Sequence, residues 1–367
     1  MALPSSVTDA LIIGGSHAGL SAALTLYRAL HTTIIFDEYK PRNWYPSPVR
    51  LTPTWEHKDP ERLREASRAE LRESGLCRFV DATIQQAEKL SNGLFQVTDT
   101  KGGLWYGRKI LLTTGVKDIF PNLDGYEENY PQRMSVPFPP LLYPSLCSSA
   151  FLSSHRYLLL PSSRRDSIYS FLTTPLPSRF PCMFQFGYEQ RNASSAGLLA
   201  IDGLANAIHA PRIADDAHKF TDIITIYTNA NAPLAAEISM SLQTPNIRVD
   251  DREIARLTEA SQETKLSPST DSEIIVEFAN GETAIESFLV HRPLTELNRT
   301  LSDQLGLDYI PGGQIATIPP FCETSMEGVF AAGDCASMMK IIPNAISMGS
   351  YAGAGMARQL PRRVTGK

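Results

Sequence analysis

Cys182-Met183-Phe184-Gln185 carries one sulfur at a spacing where Cys-x-x-Cys would carry two. A pair at that spacing can cycle between dithiol and disulfide, because one thiolate attacks and the other resolves the mixed disulfide. An amide has no redox chemistry, so Gln185 cannot stand in for the second thiol. What remains to Cys182 is the role of a lone nucleophile, or that of a small buried hydrophobe at a helix N-terminus. The other cysteines, Cys77, Cys147, Cys322 and Cys335, are widely spaced and make the total five. That odd number fits a reducing compartment better than a disulfide framework. No cysteine pair has metal-ligand spacing and the seven histidines form no H-x-x-x-H or mixed Cys/His cluster, so no metal is expected.

The elements that could position a redox group begin at the N-terminus. Asp9-Ala10-Leu11-Ile12-Ile13 is a short apolar run leading into Gly14-Gly15-Ser16-His17-Ala18-Gly19, followed by a helical run from Leu20 to Leu30. In this strand, glycine turn and helix, Gly14 permits the tight turn and Gly19 allows close helix–strand packing. The positive end of the helix would face a pyrophosphate. Ser16 occupies the place of the middle glycine of G-x-G-x-x-G and is small enough for backbone to approach phosphate. Alone, the loop reads either as a dinucleotide site or as an ordinary strand–helix turn. Its context favours the first reading. The next strand, Thr32–Phe36, ends in Asp37-Glu38, close to the ~20 residues beyond the glycines where a carboxylate accepts hydrogen bonds from ribose hydroxyls. An acid there suits FAD or NAD better than a 2′-phosphate. Gly328-Val329-Phe330-Ala331-Ala332-Gly333-Asp334 reads as another buried strand ending in Gly-Asp, the pattern that brings an aspartate to a flavin's ribityl chain.

Longer phrases extend the pattern: Asp37 through Pro41-Arg42-Asn43, Pro53–Pro60, Thr114-Gly115 through Pro121, Phe186–Glu189, His291-Arg292-Pro293, and Lys340-Ile341-Ile342 through Ala345. On these, nearly all of the chain except 134–181 resembles the low-molecular-weight thioredoxin reductases, class-II pyridine nucleotide-disulphide oxidoreductases, and among them the fungal dithiol oxidases of gliotoxin-type pathways. The resemblance implies an α/β fold of two Rossmann-like, three-layer dinucleotide-binding domains, the second inserted in the first. The FAD domain would be split into 1–131 and 284–367, with a pyridine-nucleotide-type domain over 182–283. The resemblance also implies FAD, held by Gly14, Gly15, Ser16, His17, Gly19, Asp37, Glu38, Arg42, Asn43, Thr114, Gly115, Gly333, Asp334, Lys340, Ile341 and Ile342, and a homodimer paired through the flavin domains. In the family the first cysteine of the motif attacks substrate and the second lies against the flavin. Aligned on Phe186-Gly187-Tyr188-Glu189, Cys182 is the first and Gln185 replaces the second, while Phe186 stands where the dithiol oxidases carry histidine.

The inserted domain departs from the family as well. Ala196–Ile201, a helix through about Lys219, and Asp222–Thr228 form a βαβ unit. Its turn, Ala200-Ile201-Asp202-Gly203-Leu204-Ala205, lacks the glycine pattern and puts Asp202 where pyrophosphate would sit. No arginine pair follows the second strand, so NADPH is not expected to bind. Residues 134–181 are rich in Pro, Ser and Leu and contain one acid, Asp166. Proline excludes a continuous helix or central strand there. The segment reads as a lid, a disordered loop or translated non-coding sequence, the last two being favoured.

A length of 367 residues fits two compact domains, and a net charge of −5 argues against a polyanionic partner. No basic stripe with interleaved aromatics suggests nucleic acid. No window approaches about eighteen uninterrupted apolar residues and no signal core is visible, which predicts a cytoplasmic protein that binds no membrane.

With its relay broken, the chain is expected to let a small natural-product intermediate give a hydride directly to the flavin, with oxygen as acceptor. Gln185 is then a hydrogen-bonding candidate at flavin or substrate, or a packing residue. His291 is the candidate acid–base group because imidazole titrates near neutrality; a structural histidine capping a loop is the other reading. Arg50 stands where the family tends to place histidine near the flavin. It would be either a cation beside the isoalloxazine, raising its potential, or part of a surface salt bridge. Two further readings stand behind direct oxidation. One is a dithiol oxidase recruiting Cys147 or Cys335, and the other is an inactive flavin-binding relic.

Overall fold

The computed structural model describes residues 7–43, 48–130, 134–135, 183, 188, 190–260 and 273–361. They fall into two units, Met1–Asn122 with Pro293–Lys367, and Leu123–Arg292. The first unit opens with β1 (Thr8–Ile13), α1 (His17–Arg28), β2 (Thr33–Asp37), α2 (Pro60–Glu73), β3 (Cys77–Asp81), β4 (Ile84–Lys89), β5 (Phe95–Asp99), β6 (Leu104–Leu112) and β7 (Lys117–Ile119). All six residues of β1 are buried. A parallel strand covered on both faces has no solvent side, so it reads as a continuous apolar run rather than an alternating one. Alternation still sorts the contacts. Ala10 and Ile12 pack with Leu20, Ala23 and Leu26 of α1, and Leu11 and Ile13 pack with Phe95 and Val97. The sheet order is β3-β2-β1-β6-β5-β4. β1 pairs in parallel with β2 and β6, while β4 and β5 form an antiparallel meander on the first half of β6.

The second unit contains α3 (Tyr126–Asn129), β8 (Met134–Ser135), β9 (Ala196–Leu199), α4 (His209–Ala217), β10 (Ile224–Tyr227), α5 (Ala232–Ser241), β11 (Ile247–Asp250), β12 (Ile254–Glu259), β13 (Ile274–Phe278), β14 (Thr283–Glu286) and β15 (Phe288–Val290). It repeats the plan of the first. A parallel sheet runs β11-β10-β9-β15-β8, and β12-β13-β14 is an antiparallel meander. The chain then re-enters the first unit with β16 (Leu294–Glu296), α6 (Thr300–Gln304), β17 (Val329–Ala331) and α7 (Ile342–Gln359). There β17 pairs in parallel with the second half of β6.

The return point differs from the sequence reading, which placed it at 284. Ile285 belongs to the meander and Phe288–Val290 are core residues of the second sheet, registered against Ala196–Leu198. The crossing therefore falls at Pro293. Likewise Leu123–Tyr130, assigned by sequence to the first domain, lies in the second unit, where the amide of Leu257 donates to the carbonyl of Asp124 at 2.9 Å. The anomalous segment 134–181 lies outside the described residues apart from Met134 and Ser135, the edge strand beside β15.

Helices α1 and α7 run side by side in the same direction. A side chain on Gly349 would lie 2.1 Å from the Ala18 carbonyl, and one on Gly353 would lie 2.7 Å from that of Ala22. Small residues set this distance, and it brings the first turns of both helices to the same end of the sheet.

Candidate functional site

Beyond the C-terminal end of β1, with β2 and β6 on either side, the sheet changes direction of winding, and an α/β fold binds ligands at such a point. Residues 14–16 alone separate β1 from α1. Gly14 has φ +116°, and a Cβ on it would stand 2.2 Å from the Thr113 carbonyl oxygen. A Cβ on Gly19 would meet the Gly14 carbonyl at 2.1 Å. Both glycines are required by close approach, as the sequence suggested. The Thr113 hydroxyl ties the loop down by donating to the carbonyls of Ile13 and Gly14 at 3.0 and 2.8 Å. The helix begins at His17 rather than Leu20, with Ser16 as an extended N-cap whose side chain makes no capping bond and no acid in the first turn. Its amide donors are thus left for a ligand anion.

Asp37, at the end of β2, faces this loop. A Cβ on Gly15 would lie 2.3 Å from its Oδ2, so only glycine admits the carboxylate there. Asp37 accepts from the Tyr39 amide at 3.0 Å and from Arg68 Nη2 at 2.8 Å. Its neighbour Glu38 is exposed and accepts from the Thr83 hydroxyl at 3.3 Å.

At the other edge, Gly333 (φ +80°) follows β17 and lies between Ala18 and Ala345, 3.0 and 3.9 Å from where its Cβ would be. Asp334 comes next. Burial pushes its carboxyl up, against the pull of Arg42. Arg42 bonds Asp334 at 3.2 Å and grips Asp118 at 2.7 Å. Lys340 donates to the Ser337 carbonyl at 3.1 Å, and Ile341 begins α7 without a capping side chain or an acid in its first turn. Ile342 is its first residue. Thr114 is exposed and Gly115 has φ +68°.

Asn43 accepts from Arg64 Nη1 at 2.8 Å. Arg64 and Arg68, on α2, were not anticipated. Both are buried, at 3% and 4% exposure, and both bind Glu61 at 2.7 Å. Although burial pulls the Glu61 carboxyl up, these two guanidiniums hold it below its ordinary range. The sequence did carry a signal, since Pro60, Arg64, Arg68 and Leu71 fall on one helical stripe and Pro60 and Leu71 are apolar. Cations on an apolar stripe imply buried counter-charges. Beside them the His17 ring is buried, and its Nε2 has no hydrogen-bond partner.

Arg50 is buried, with Nη1 2.8 Å from Nδ1 of His57 and Nε 3.9 Å from Glu56. A fully exposed salt bridge is therefore not its setting. His291 is fully buried in the second unit, its Nδ1 2.7 Å from the Tyr126 hydroxyl. Burial first, and Arg292 further, push its pKa down to about 4. That is the setting of a neutral packing histidine. Cys182 and Gln185 lie outside the described residues. Cys335 is fully buried, its thiol donating to the carbonyls of Leu112 and Ala332 at 3.4 and 3.3 Å, and burial pushes it up to about 11. It carries no thiolate near neutrality.

In the second unit the equivalent turn spans 200–208 and includes a 3₁₀ segment, Asp202–Leu204, with Asp202 at φ +47°. The Asn206 side chain accepts from the amides of Ile208 and His209 at 2.9 and 3.0 Å, so donors at the start of α4 are already used. A polar cavity of about 410 Å³ lies elsewhere in the unit, lined by Thr225, Tyr227, Arg248, Asp250, Arg252 and Glu286 among others.

Among the described residues no helix is long and apolar enough to cross a membrane. The profile of the family described as pyridine nucleotide-disulphide oxidoreductase matches residues 226–349. A thioredoxin reductase of Gibberella zeae is 35% identical over 97% of this chain and 98% of its own length. Thioredoxin reductase aclD of Aspergillus oryzae is 34% identical, with 96% of each covered, and thioredoxin reductase sirT of Leptosphaeria maculans is 32% identical over 97% and 95%. Among solved structures, an oxidoreductase from Agrobacterium tumefaciens superposes with a TM-score of 0.69 at 23% identity, covering 96% and 98% of the two chains. At that identity the likeness speaks for the fold.

Proposed function

Because this chain belongs to the thioredoxin reductase-like pyridine nucleotide-disulphide oxidoreductases, which are FAD-dependent, we propose that it oxidises a small organic intermediate of fungal secondary metabolism by direct hydride transfer, with oxygen as final acceptor and no dithiol relay. The carrying observation is Gln185, an amide at the place of the second active-site cysteine.

The described residues fit FAD. The glycine loop leaves no room for a Cβ, the first turns of α1 and α7 are uncapped, and His17 Nε2 is an unsatisfied buried polar atom. Gly14, Gly15, Ser16 and His17 would hold the diphosphate, Asp37 the ribose, and Asp334 the ribityl chain. When bound, the flavin supplies a two-electron acceptor that oxygen can reoxidise. Arg68 keeps Asp37 oriented as an acceptor, and Arg42 pulls the Asp334 carboxyl down against the burial that raises it. The thiol character of Cys335 weighs against its serving as a substitute relay sulfur. The filled donors at Asn206 and the acid at Asp202 support the reading that NADPH is not a substrate. On this reading the protein works in the cytoplasm, and as a homodimer by family resemblance.

The test is the visible spectrum of the purified protein, followed anaerobically on adding NADPH, then dithiothreitol, then on photoreduction with air readmitted. The expected result is a yellow protein that ignores both donors and reoxidises rapidly in air. Bleaching by dithiothreitol would instead favour dithiol oxidation through another cysteine, and a colourless protein would favour a relic.

A further inference from the structure

The start of α1 presents two independent signs of a missing ligand group. One is the uncapped helix end at Ser16. The other is His17, 7% exposed, with its Nε2 buried and unpartnered. A polar atom left so costs free energy that a ligand atom would recover. Resting on the FAD reading above, we infer that His17 is a side-chain anchor for the cofactor's diphosphate, donating from Nε2 to a phosphate oxygen with Arg64 and Arg68 of α2 as the cations behind it.

Phosphate oxygens only accept at neutral pH, so the ring must donate, and a neutral imidazole does so from one nitrogen. The ring is neutral here: burial first, and the cation of Arg64 next, lower its pKa to about 4, with Glu61 opposing and Arg68 adding to the fall. The charged groups that face it are thus Arg64, Arg68 and Glu61 of α2. Arg68 is shared between Asp37 and Glu61, whereas Arg64 divides its contacts between Glu61 and the neutral amide of Asn43. Two arginines against Glu61 and Asp37 sum to zero charge, and Asp37 is committed to the ribose. A dianionic diphosphate brought to the helix end would therefore be held by the open amides and the imidazole donor rather than by a net charge, and removing Arg64 would leave the set negative.

The experiment removes flavin and titrates the apoprotein with FAD by quenching of flavin fluorescence, with ADP and adenosine as competing probes. His17→Ala is expected to weaken FAD and ADP by about tenfold to a hundredfold, the range of one charge-assisted hydrogen bond, and to leave adenosine unchanged. His17→Gln, which keeps a donor at similar reach, recovers most of the loss. Arg64→Gln lowers ADP but not adenosine affinity, by a smaller factor. Equal FAD and ADP affinities in wild type and His17→Ala would overturn the assignment. So would a loss shared equally by ADP and adenosine, the mark of a packing residue. A wild-type apoprotein that binds neither FAD nor ADP overturns the flavin reading itself, and the assignment with it.

Discussion

Replacing His291 by asparagine should flatten the acid limb of the protein's stability without creating or removing a catalytic limb. Asparagine can keep a polar atom near the position of Nδ1, 2.7 Å from the Tyr126 hydroxyl. The native histidine has a folded pKa of about 4 against an ordinary 6.5, burial being the main cause. A base whose folded pKa is depressed binds more protons unfolded. Its contribution to stability is therefore complete above pH 6.5 and is lost as pH falls from there toward 4. At pH 5 the loss is RT ln[(1 + 10^1.5)/(1 + 10^−1)], about 2 kcal/mol, and at pH 7 it is close to nil. Urea titrations of the flavin-loaded protein at pH 7 and pH 5 should show the variant losing about 2 kcal/mol less than wild type between them. Its turnover should keep the wild-type pH profile. An imidazole signal from His291 titrating near 6.5 by NMR, or identical pH slopes in the two proteins, would refute the buried neutral assignment and restore His291 as an acid–base candidate.

Three further outcomes follow from other contacts. Gly15→Ala places a methyl 2.3 Å from Asp37 Oδ2, and should lower FAD affinity by at least about tenfold; an unchanged flavin-to-protein absorbance ratio on dilution would contradict this. In the second unit, Glu286 is buried, its pKa is raised mainly by that burial, and its Oε1 accepts from the Tyr227 hydroxyl at 2.6 Å while Oε2 has no partner. An acid with a raised folded pKa loses stability as pH climbs through the unfolded value, so Glu286→Gln should be neutral or stabilising at pH 7.5 and make little difference at pH 4. Tyr227→Phe, which strips the 2.6 Å hydrogen bond from that carboxyl, should cost about 1–3 kcal/mol. Thermal midpoints decide, and equal losses in the two variants would sink the account.

Most of the fold was legible because the strands of a doubly covered parallel sheet announce themselves as unbroken apolar runs: Leu11–Ile13, Ile35–Phe36, Leu198–Leu199 and Val329–Ala331 were all visible. The glycine loop was legible for a steric reason, since Gly14 and Gly19 leave no room for a side chain. Boundaries were less so. Phe288–Val290 is apolar enough for either sheet, and only its register against β9 assigns it to the second unit. The α2 arginines were missed because a charge is read by default as solvated, and nothing local shows that Glu61 and Asp37 converge on them from different elements.

The two units make the more telling comparison, since each has a parallel sheet, a meander and a helix rising from the first strand. What separates them is what the strand–helix turn does with the helix's free amides. Residues 14–16 bring the chain round in so few steps that no side chain turns back to cap α1, and the donors stay open. Residues 200–208 allow a 3₁₀ turn and an asparagine that consumes the donors of α4. An anion site at a helix end exists only while the protein refrains from filling it. On that criterion the end of α1 stays open to an anion, as the FAD proposal needs, while at α4 the Asn206 side chain takes donors that a pyridine nucleotide would use. A single change tests this: Asn206→Ala should reopen donors at α4 but leave the acid of Asp202 in place, so pyridine nucleotide should still fail to reduce the flavin. Only the joint removal of both should let ADP compete for the second unit, read as a second class of sites in calorimetry.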